Sequence, residues 1–300
     1  MIKINHIRDL VFKHIDNLDE VKDEIKFSHL STNLFSLFLL ETKNEIILKG
    51  KKLNYKKIAI KDTHPITMAE AEFDGLEKLK SFGARVPDPI VVLMDSNTSL
   101  LVMEFVPKTS INVKSKRDLI HSLKNLYKNT NITYGYHKNN YVGVLQQVNQ
   151  ETKSFLDFWW ATRIEPMMDL AIEKGHFQKL HKEQLYKIIK TKVESWNLDK
   201  DMPRPVHGDL WSGNLLFSEE FAYLIDPSFG FSHPMQDFAM LELFGSPLSF
   251  SDYQEIALEC KFRVHPEMIE FFQIYPLLVH VNIFGTFYKR DVINYIKKNS

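Results

Sequence analysis

The residues best suited to chemistry lie between positions 206 and 232. His207-Gly208-Asp209-Leu210-Trp211-Ser212-Gly213-Asn214 places an Asp two residues after a His and an Asn five residues beyond that Asp. This is the spacing of a phosphoryl-transfer loop, in which the Asp accepts the proton of an attacking hydroxyl and the Asn offers a neutral amide oxygen to a hard cation. Downstream, residues 222–225 read as an apolar strand that delivers Asp226 at its end. A carboxylate there is costly without a cation, and magnesium bridging nucleotide phosphates is its natural partner. An Asp before Pro227 also marks turns, which is the alternative for Asp226 taken by itself.

Phosphoryl transfer also needs a cation for the nucleotide phosphates and a carboxylate to orient it. Ile58-Ala59-Ile60-Lys61 has the form V-A-I-K. In a strand Ala59 and Lys61 share a face, so a small methyl leaves room for adenine beside the ammonium. Lys49 is the competing lysine, with Ile47 at the corresponding position and no helix directly following. Glu72 lies on the helical face of Met68, Leu76 and Leu79, whereas Glu70, Asp74 and Glu77 point away from it. A carboxylate on an apolar face calls for a cationic partner, and Lys61 is the one expected. Residues 100–106 read as a strand running into a hinge, so Glu104, Phe105 and Val106 are candidates to pair with adenine. An ordinary apolar strand ending at Pro107 fits those residues as well.

The elements that must position these groups change character near Pro107. Before it, short β-branched and aromatic runs separated by polar turns predict strands. One helix interrupts them, opened by the T-x-x-E box of Thr67 and Glu70 and stopped by Gly83. From Lys116 onward the spacing becomes helical, as in Leu119, Leu123 and Leu126. The expectation is an α+β, two-lobe fold with a β-rich N-lobe over residues 1–106, a mainly helical C-lobe over 107–300, and a ligand cleft between them.

Composition narrows the function. The chain has 300 residues, and 38 Lys plus Arg balance 38 Asp plus Glu. A nucleic-acid partner would call for a basic excess, so none is expected. The single cysteine, Cys260, can form neither an internal disulfide nor a structural zinc site. No signal-peptide pattern and no apolar run of about 18 residues is present, so a soluble cytoplasmic protein without a membrane partner is expected.

Five blocks in order then carry a resemblance. MAEAEFDGLEKLKSFGARVPDPI, NNYVGVLQQVN with FLDFWWATRIEPM, HGDLWSGN with IDPS, DFAMLELFG, and YPLLVHVNIFGTFY resemble the fructosamine-3-kinase (ketosamine kinase) family. That family sits in the aminoglycoside-phosphotransferase-like branch of the protein-kinase-like fold. The resemblance implies an enzyme that uses ATP and Mg2+ to phosphorylate a sugar hydroxyl of a ketosamine of the fructosamine or ribulosamine type. The ketosamine would be free or protein-bound, and the enzyme a monomer or weak dimer. By position, Lys61 and Glu72 would anchor phosphate, Asp209 would be the catalytic base, Asn214 and Asp226 the metal ligands, and Asp237 an anchor for the loop. Asn140, Tyr141, Gly143, Gln147, Asn149 and Arg163 fall on the substrate-lobe signature, and Trp211 joins them as a residue that could face a sugar. Trp159 and Trp160 suit either a sugar or the core. The chain departs from the family in two places. Residues 28–33, where the phosphate loop is expected, contain no Gly and no redox-active Cys, and Ser232-His233-Pro234-Met235 replaces the family's G-H-R-E. The alternatives are the same fold acting on an aminoglycoside, an amino alcohol or another sugar, or a catalytically silent nucleotide-binding protein.

Overall fold

The structure is a computed structural model that describes residues 2–32 and 35–300. Contacts divide the chain into two compact units, Met1–Glu77 with Pro87–Pro107, and Lys78–Val86 with Lys108–Ser300. The architecture is α+β, with a sheet in the first unit and mostly helices in the second.

Helices α1 (Ile2–Phe12) and α2 (Leu18–Val21) open the first unit. Strands follow: β1 (Lys26–Thr32), β2 (Ser36–Glu41), β3 (Ile46–Leu48), β4 (Lys51–Leu53), β5 (Lys57–Thr63), β6 (Pro89–Met94) and β7 (Ser99–Glu104). Helix α3 (Met68–Ser81) lies between β5 and β6. β1, β2, β5, β7 and β6 form one sheet in that order, antiparallel throughout. Its central strand, β5, sends Ile58 and Ile60 into a core shared with Phe38, Leu40, Leu100 and Val102. By strand alternation Ala59 and Lys61 take the opposite face.

The first unit departs from its strand-rich reading at α1. Ile7, Leu10 and Val11 lie on one helical face and are buried in the same core as the sheet residues. Strand β3 stops at Leu48. Lys49 (φ 47°) and Gly50 (φ 72°) make a two-residue turn with both φ values positive, joining β3 to β4 as a hairpin.

The second unit contains α4 (Val113–Tyr127), β8 (Asn140–Val142), β9 (Leu145–Gln147), α5 (Phe155–Phe158), α6 (Glu165–Glu173) and α7 (Lys179–Trp196). Four short strands in two antiparallel pairs flank the loop over residues 207–214: β10 (Arg204–Val206) with β13 (Gly230–Ser232), and β11 (Leu215–Phe217) with β12 (Ala222–Leu224). Helices α8 (Met235–Leu243), α9 (Phe250–Cys260), α10 (Pro266–Phe284) and α11 (Lys289–Asn299) complete it. The core is aromatic around Trp159, which is fully buried and stacks on Phe155 and Phe271. Trp159 is therefore a core residue, and Trp160 packs edge-on against Tyr186. Cys260 is buried at the end of α9, with its thiol directed at the Lys124 carbonyl of α4.

Residues 78–86 belong with the second unit, unlike a single break after residue 106. Asn129 Nδ2 donates to the Phe82 carbonyl at 3.1 Å, and Arg85 N donates to Ser122 Oγ at 2.8 Å. Arg85 also forks onto Asp118 at 2.9 and 3.2 Å. Gly83, at φ 86°, makes the left-handed stop that ends α3 and lets this segment turn.

Among the described residues no helix is long and apolar enough to cross a membrane. Leu119, Leu123 and Leu126 line the buried face of α4 with no exposed surface. Leu123→Ala is expected to lower the unfolding free energy by about 3 kcal/mol, measured by urea denaturation. A change below about 1 kcal/mol would contradict this packing.

Candidate active site

The loop over residues 207–214 is built on one buried carboxylate. Asp237, in the first turn of α8, is fully buried. Its Oδ2 accepts from the His207 backbone N–H at 2.8 Å, and its Oδ1 accepts from that of Gly208 at 2.8 Å. The Tyr127 hydroxyl of α4 donates to Oδ2, also at 2.8 Å. Burial pushes the Asp237 pKa up to about 6, while the three donors favour the anion. The Asp thus ties the start of the loop to two helices.

His207 fixes the next residues. Its Nε2 donates to the Ile225 carbonyl at 2.8 Å, so Nδ1 is the acceptor facing the Asp209 N–H at 3.3 Å. Complete burial holds its pKa down to about 4, and the ring is neutral at pH 7. Gly208 has φ 86°, and a Cβ there would sit 2.1 Å from the Ser228 carbonyl oxygen. Only glycine allows the loop and the segment after Asp226 to approach this closely.

Asn214 Nδ2 donates to the Asp209 carbonyl at 2.8 Å and to Asp209 Oδ2 at 3.1 Å. The Ile225 N–H donates to the Asn214 carbonyl at 3.1 Å. Asp209, Asn214 and the β12–Asp226 segment are therefore one hydrogen-bonded assembly. Asp226 itself sits in the left-handed region at φ 57°, a conformation that Asp tolerates better than most residues. With the Asn214 amide nitrogen engaged, its Oδ1 is the atom left for a ligand. An amide oxygen and a carboxylate are hard donors that suit Mg2+, a cation that commonly takes few protein ligands and completes its shell with phosphate and water. The donor set fits the metal.

In the first unit Lys61 Nζ donates to both Glu72 oxygens, at 2.9 and 2.8 Å. The two side chains are 7% and 5% exposed, and the ammonium also lies 4.9 Å from the centre of the Phe35 ring. Glu70 and Glu77 are exposed, as the helical face requires. Lys49 is a surface turn residue whose Nζ reaches the Val92 carbonyl at 3.5 Å, so it is not the buried lysine of this unit. At the end of β7, the Glu104 N–H donates to the Asp88 carbonyl at 2.9 Å, and Glu104 Oε2 accepts from the Asp88 N–H at 3.2 Å. Phe105 has Lys57 Nζ 6.0 Å from its ring centre, and Val106 is buried. The expected phosphate loop is strand up to Thr32: Ser31 pairs with Leu37 and Thr32 with Ser36, while Asn33 lies outside the described residues.

The substrate-signature residues come together, but several of them inside the protein. Asn140, Gln147 and Arg163 are 4%, 2% and 2% exposed, and their polar groups bind one another and nearby carbonyls. Their geometry is that of a supporting network and not of a surface that meets a substrate. Tyr141 is half-buried, with its carbonyl accepting from the Ser228 hydroxyl. Trp211 is 38% exposed within the 207–214 loop, packed edge-on against Phe244 at 6.0 Å. Tyr127 and Tyr275 leave no local signal in the sequence: the Tyr127 hydroxyl reaches Asp237 and the Tyr275 hydroxyl reaches Gln147, each from a helix distant in sequence.

The sequence profile of the fructosamine kinase family matches residues 44–299. A probable ketoamine kinase of Enterococcus faecium is 34% identical over 227 residues, covering 74% of this chain and 79% of that protein. Among solved structures, a candidate fructosamine-3-kinase from Thermobifida fusca matches with a TM-score of 0.76 at 24% identity, over 96% of this chain and 98% of the other. A thermostable mutant of an aminoglycoside phosphotransferase, crystallised with AMP-PNP and hygromycin B, matches with a TM-score of 0.60 at 10% identity, over 92% and 95%. These structural likenesses show the two-lobe, kinase-like fold.

Two outcomes test this geometry. Lys61→Met strands the buried Glu72 carboxylate and should cost about 3–5 kcal/mol in denaturant unfolding, most of it recovered in Lys61→Met/Glu72→Leu. A double variant no more stable than the single one would count against a desolvated pair. The second outcome concerns acid. Because the folded-state pKa of His207 lies below its unfolded value, the unfolded chain takes up a proton that the folded chain refuses. Stability is therefore lost as pH falls from about 6.5 to about 4, by roughly 3 kcal/mol from this group. His207→Gln should flatten that loss, read as the difference between the two proteins' urea midpoints across the window.

Proposed function

The chain belongs to the fructosamine kinase family, and on that premise we propose that it transfers the γ-phosphoryl group of ATP to a sugar hydroxyl of a ketosamine of the fructosamine or ribulosamine type. The observation that supports this reading is the Asp209–Asn214 assembly clamped by Asp237, because it brings the Asp209 carboxylate and the Asn214 amide together in one hydrogen-bonded loop. The ketosamine is carried by a small amine or a protein, and the reaction belongs in the cytoplasm, where ATP is supplied.

Asp209 orients the acceptor hydroxyl and takes its proton. The hydroxyl oxygen then bonds to the γ-phosphorus as the bond from that phosphorus to the β–γ bridging oxygen breaks, releasing ADP. Lys61, held by Glu72, anchors the α and β phosphates, and Phe35 closes over the same ammonium. The backbone of Glu104, Phe105 and Val106 is assigned to adenine. Asn214 and Asp226 would hold Mg2+, which when bound neutralises phosphate charge. The Trp211 indole, exposed beside Asp209, suits the face of a sugar.

Asp209→Asn should lower kcat by about 10²–10⁴-fold in a magnesium-ATP assay while nucleotide binding persists. Full turnover in that variant would refute the base assignment. The acceptor is tested with fructosyl-, ribulosyl- and erythrulosyl-amines against aminoglycosides. Phosphorylation of aminoglycosides alone would overturn the ketosamine assignment.

A further inference from the structure

Arg163 is an anomaly of the second unit. Its guanidinium is 2% exposed, and among the described residues no carboxylate pairs with it. It lies 4.8 Å from the centre of the Phe158 ring and 5.9 Å from that of Tyr275. Burial holds its pKa down to about 10. A desolvated cation without a counter-ion is expensive, so some gain must offset it.

The hydrogen bonds of Arg163 have a direction. Its Nη2 donates to Asn149 Oδ1 at 2.8 Å, Asn149 Nδ2 donates to Asn140 Oδ1 at 2.9 Å, and Asn140 Nδ2 donates to the Phe229 carbonyl at 2.8 Å. A second branch converges on the same atom. The Tyr275 hydroxyl donates to Gln147 Oε1 at 2.5 Å, and Gln147 Nε2 donates to Asn140 Oδ1 at 2.8 Å. A guanidinium can only donate, so it sets the orientation of each amide behind it. Aligned bonds of this kind polarise one another in a low-dielectric interior.

The chain of bonds ends on a segment that needs holding. Phe229 lies three residues past Asp226, whose backbone occupies the left-handed region at φ 57°. Such a conformation persists only where the surroundings over-determine it. The surroundings here are the Gly208–Ser228 contact, the Ser228 hydroxyl donating to the Tyr141 carbonyl, and the paired backbone bonds of Gly135 and Phe231 at 2.8 and 2.9 Å. The Asn140 amide is the side-chain clasp on the same stretch.

We propose that Arg163 is a positioning residue for the cation site: through Asn149 and Asn140 it fixes the Phe229 carbonyl, and with it the backbone that presents Asp226. This rests on the assignment of Asp226 as a metal ligand. It differs from a substrate contact, because a substrate contact would act on acceptor affinity and not on the cation.

The test measures Mn2+ binding to the purified full chain in the presence of ADP, by electron paramagnetic resonance, with acceptor KM determined alongside. Arg163→Met and Asn149→Asp should each weaken Mn2+ binding about tenfold, the lower end of the range for lost outer-shell partners of a metal site. Acceptor KM should stay unchanged, and Arg163→Lys should recover most of the loss. Asn149→Asp gives the buried guanidinium a counter-ion, so the fold is retained, while its carboxylate has no proton to donate to Asn140. It keeps the test decisive where Arg163→Met folds poorly. Unaltered Mn2+ affinity in Asn149→Asp overturns the inference, as does a raised acceptor KM with unaltered Mn2+ affinity. Asp226→Asn is the control: unaltered affinity in that variant overturns the metal assignment itself.

Discussion

A carboxylate with no exposed surface organises the second unit. Asp237 accepts from two successive backbone N–H groups of the 207–214 loop and from the Tyr127 hydroxyl, so α4, α8 and the loop share one anchor. Each donor offsets part of the desolvation that burial imposes, and none is dispensable once the carboxylate is inside. Everything downstream inherits that fixity. His207 is aimed at Ile225, Gly208 slides against Ser228, and Asp209 meets Asn214. A loop whose own regular structure is one short 3-10 turn, Ser212–Asn214, needs such an anchor.

The first unit solves a simpler problem by sheet register. β5 lies between β2 and β7, with Lys61 opposite Leu37 on one side and Leu101 on the other. Leu37 and Leu101 flank it in the sheet, and α3 brings the Glu72 carboxylate to its ammonium. Lys61 and Glu72 are eleven residues apart in sequence, so strand and helix periodicity suffice to pair them.

That contrast explains what was legible in the sequence. The fold class followed from a change in hydrophobic period near Pro107, and the 207–214 loop from residue types at fixed spacing. Lys61 over Lys49 followed from the small residue two positions earlier. The substrate lobe was not legible in the same way. Asn140, Gln147 and Arg163 fall on a substrate-lobe signature by resemblance alone, which assigns none of them a contact. Their partners are set by pairings such as Gln147 with Tyr275, 128 positions apart, and no local pattern encodes that. The N-terminal helix α1 was missed for a related reason. Its apolar face is short, and packing against the sheet decides its conformation more than propensity does.

Cys260 carries a consequence of a different kind. The only sulfhydryl of the chain is enclosed between α9 and α4, directed at a backbone carbonyl, and burial raises its pKa. A thiol in that setting forms little thiolate and is out of reach of electrophiles. Sulfur-bridged pairing of two folded copies is therefore closed to this chain, and so is capping by glutathione. A cysteine engineered onto the surface would be the sole accessible thiol, and a thiol-directed spectroscopic label would report on that position alone.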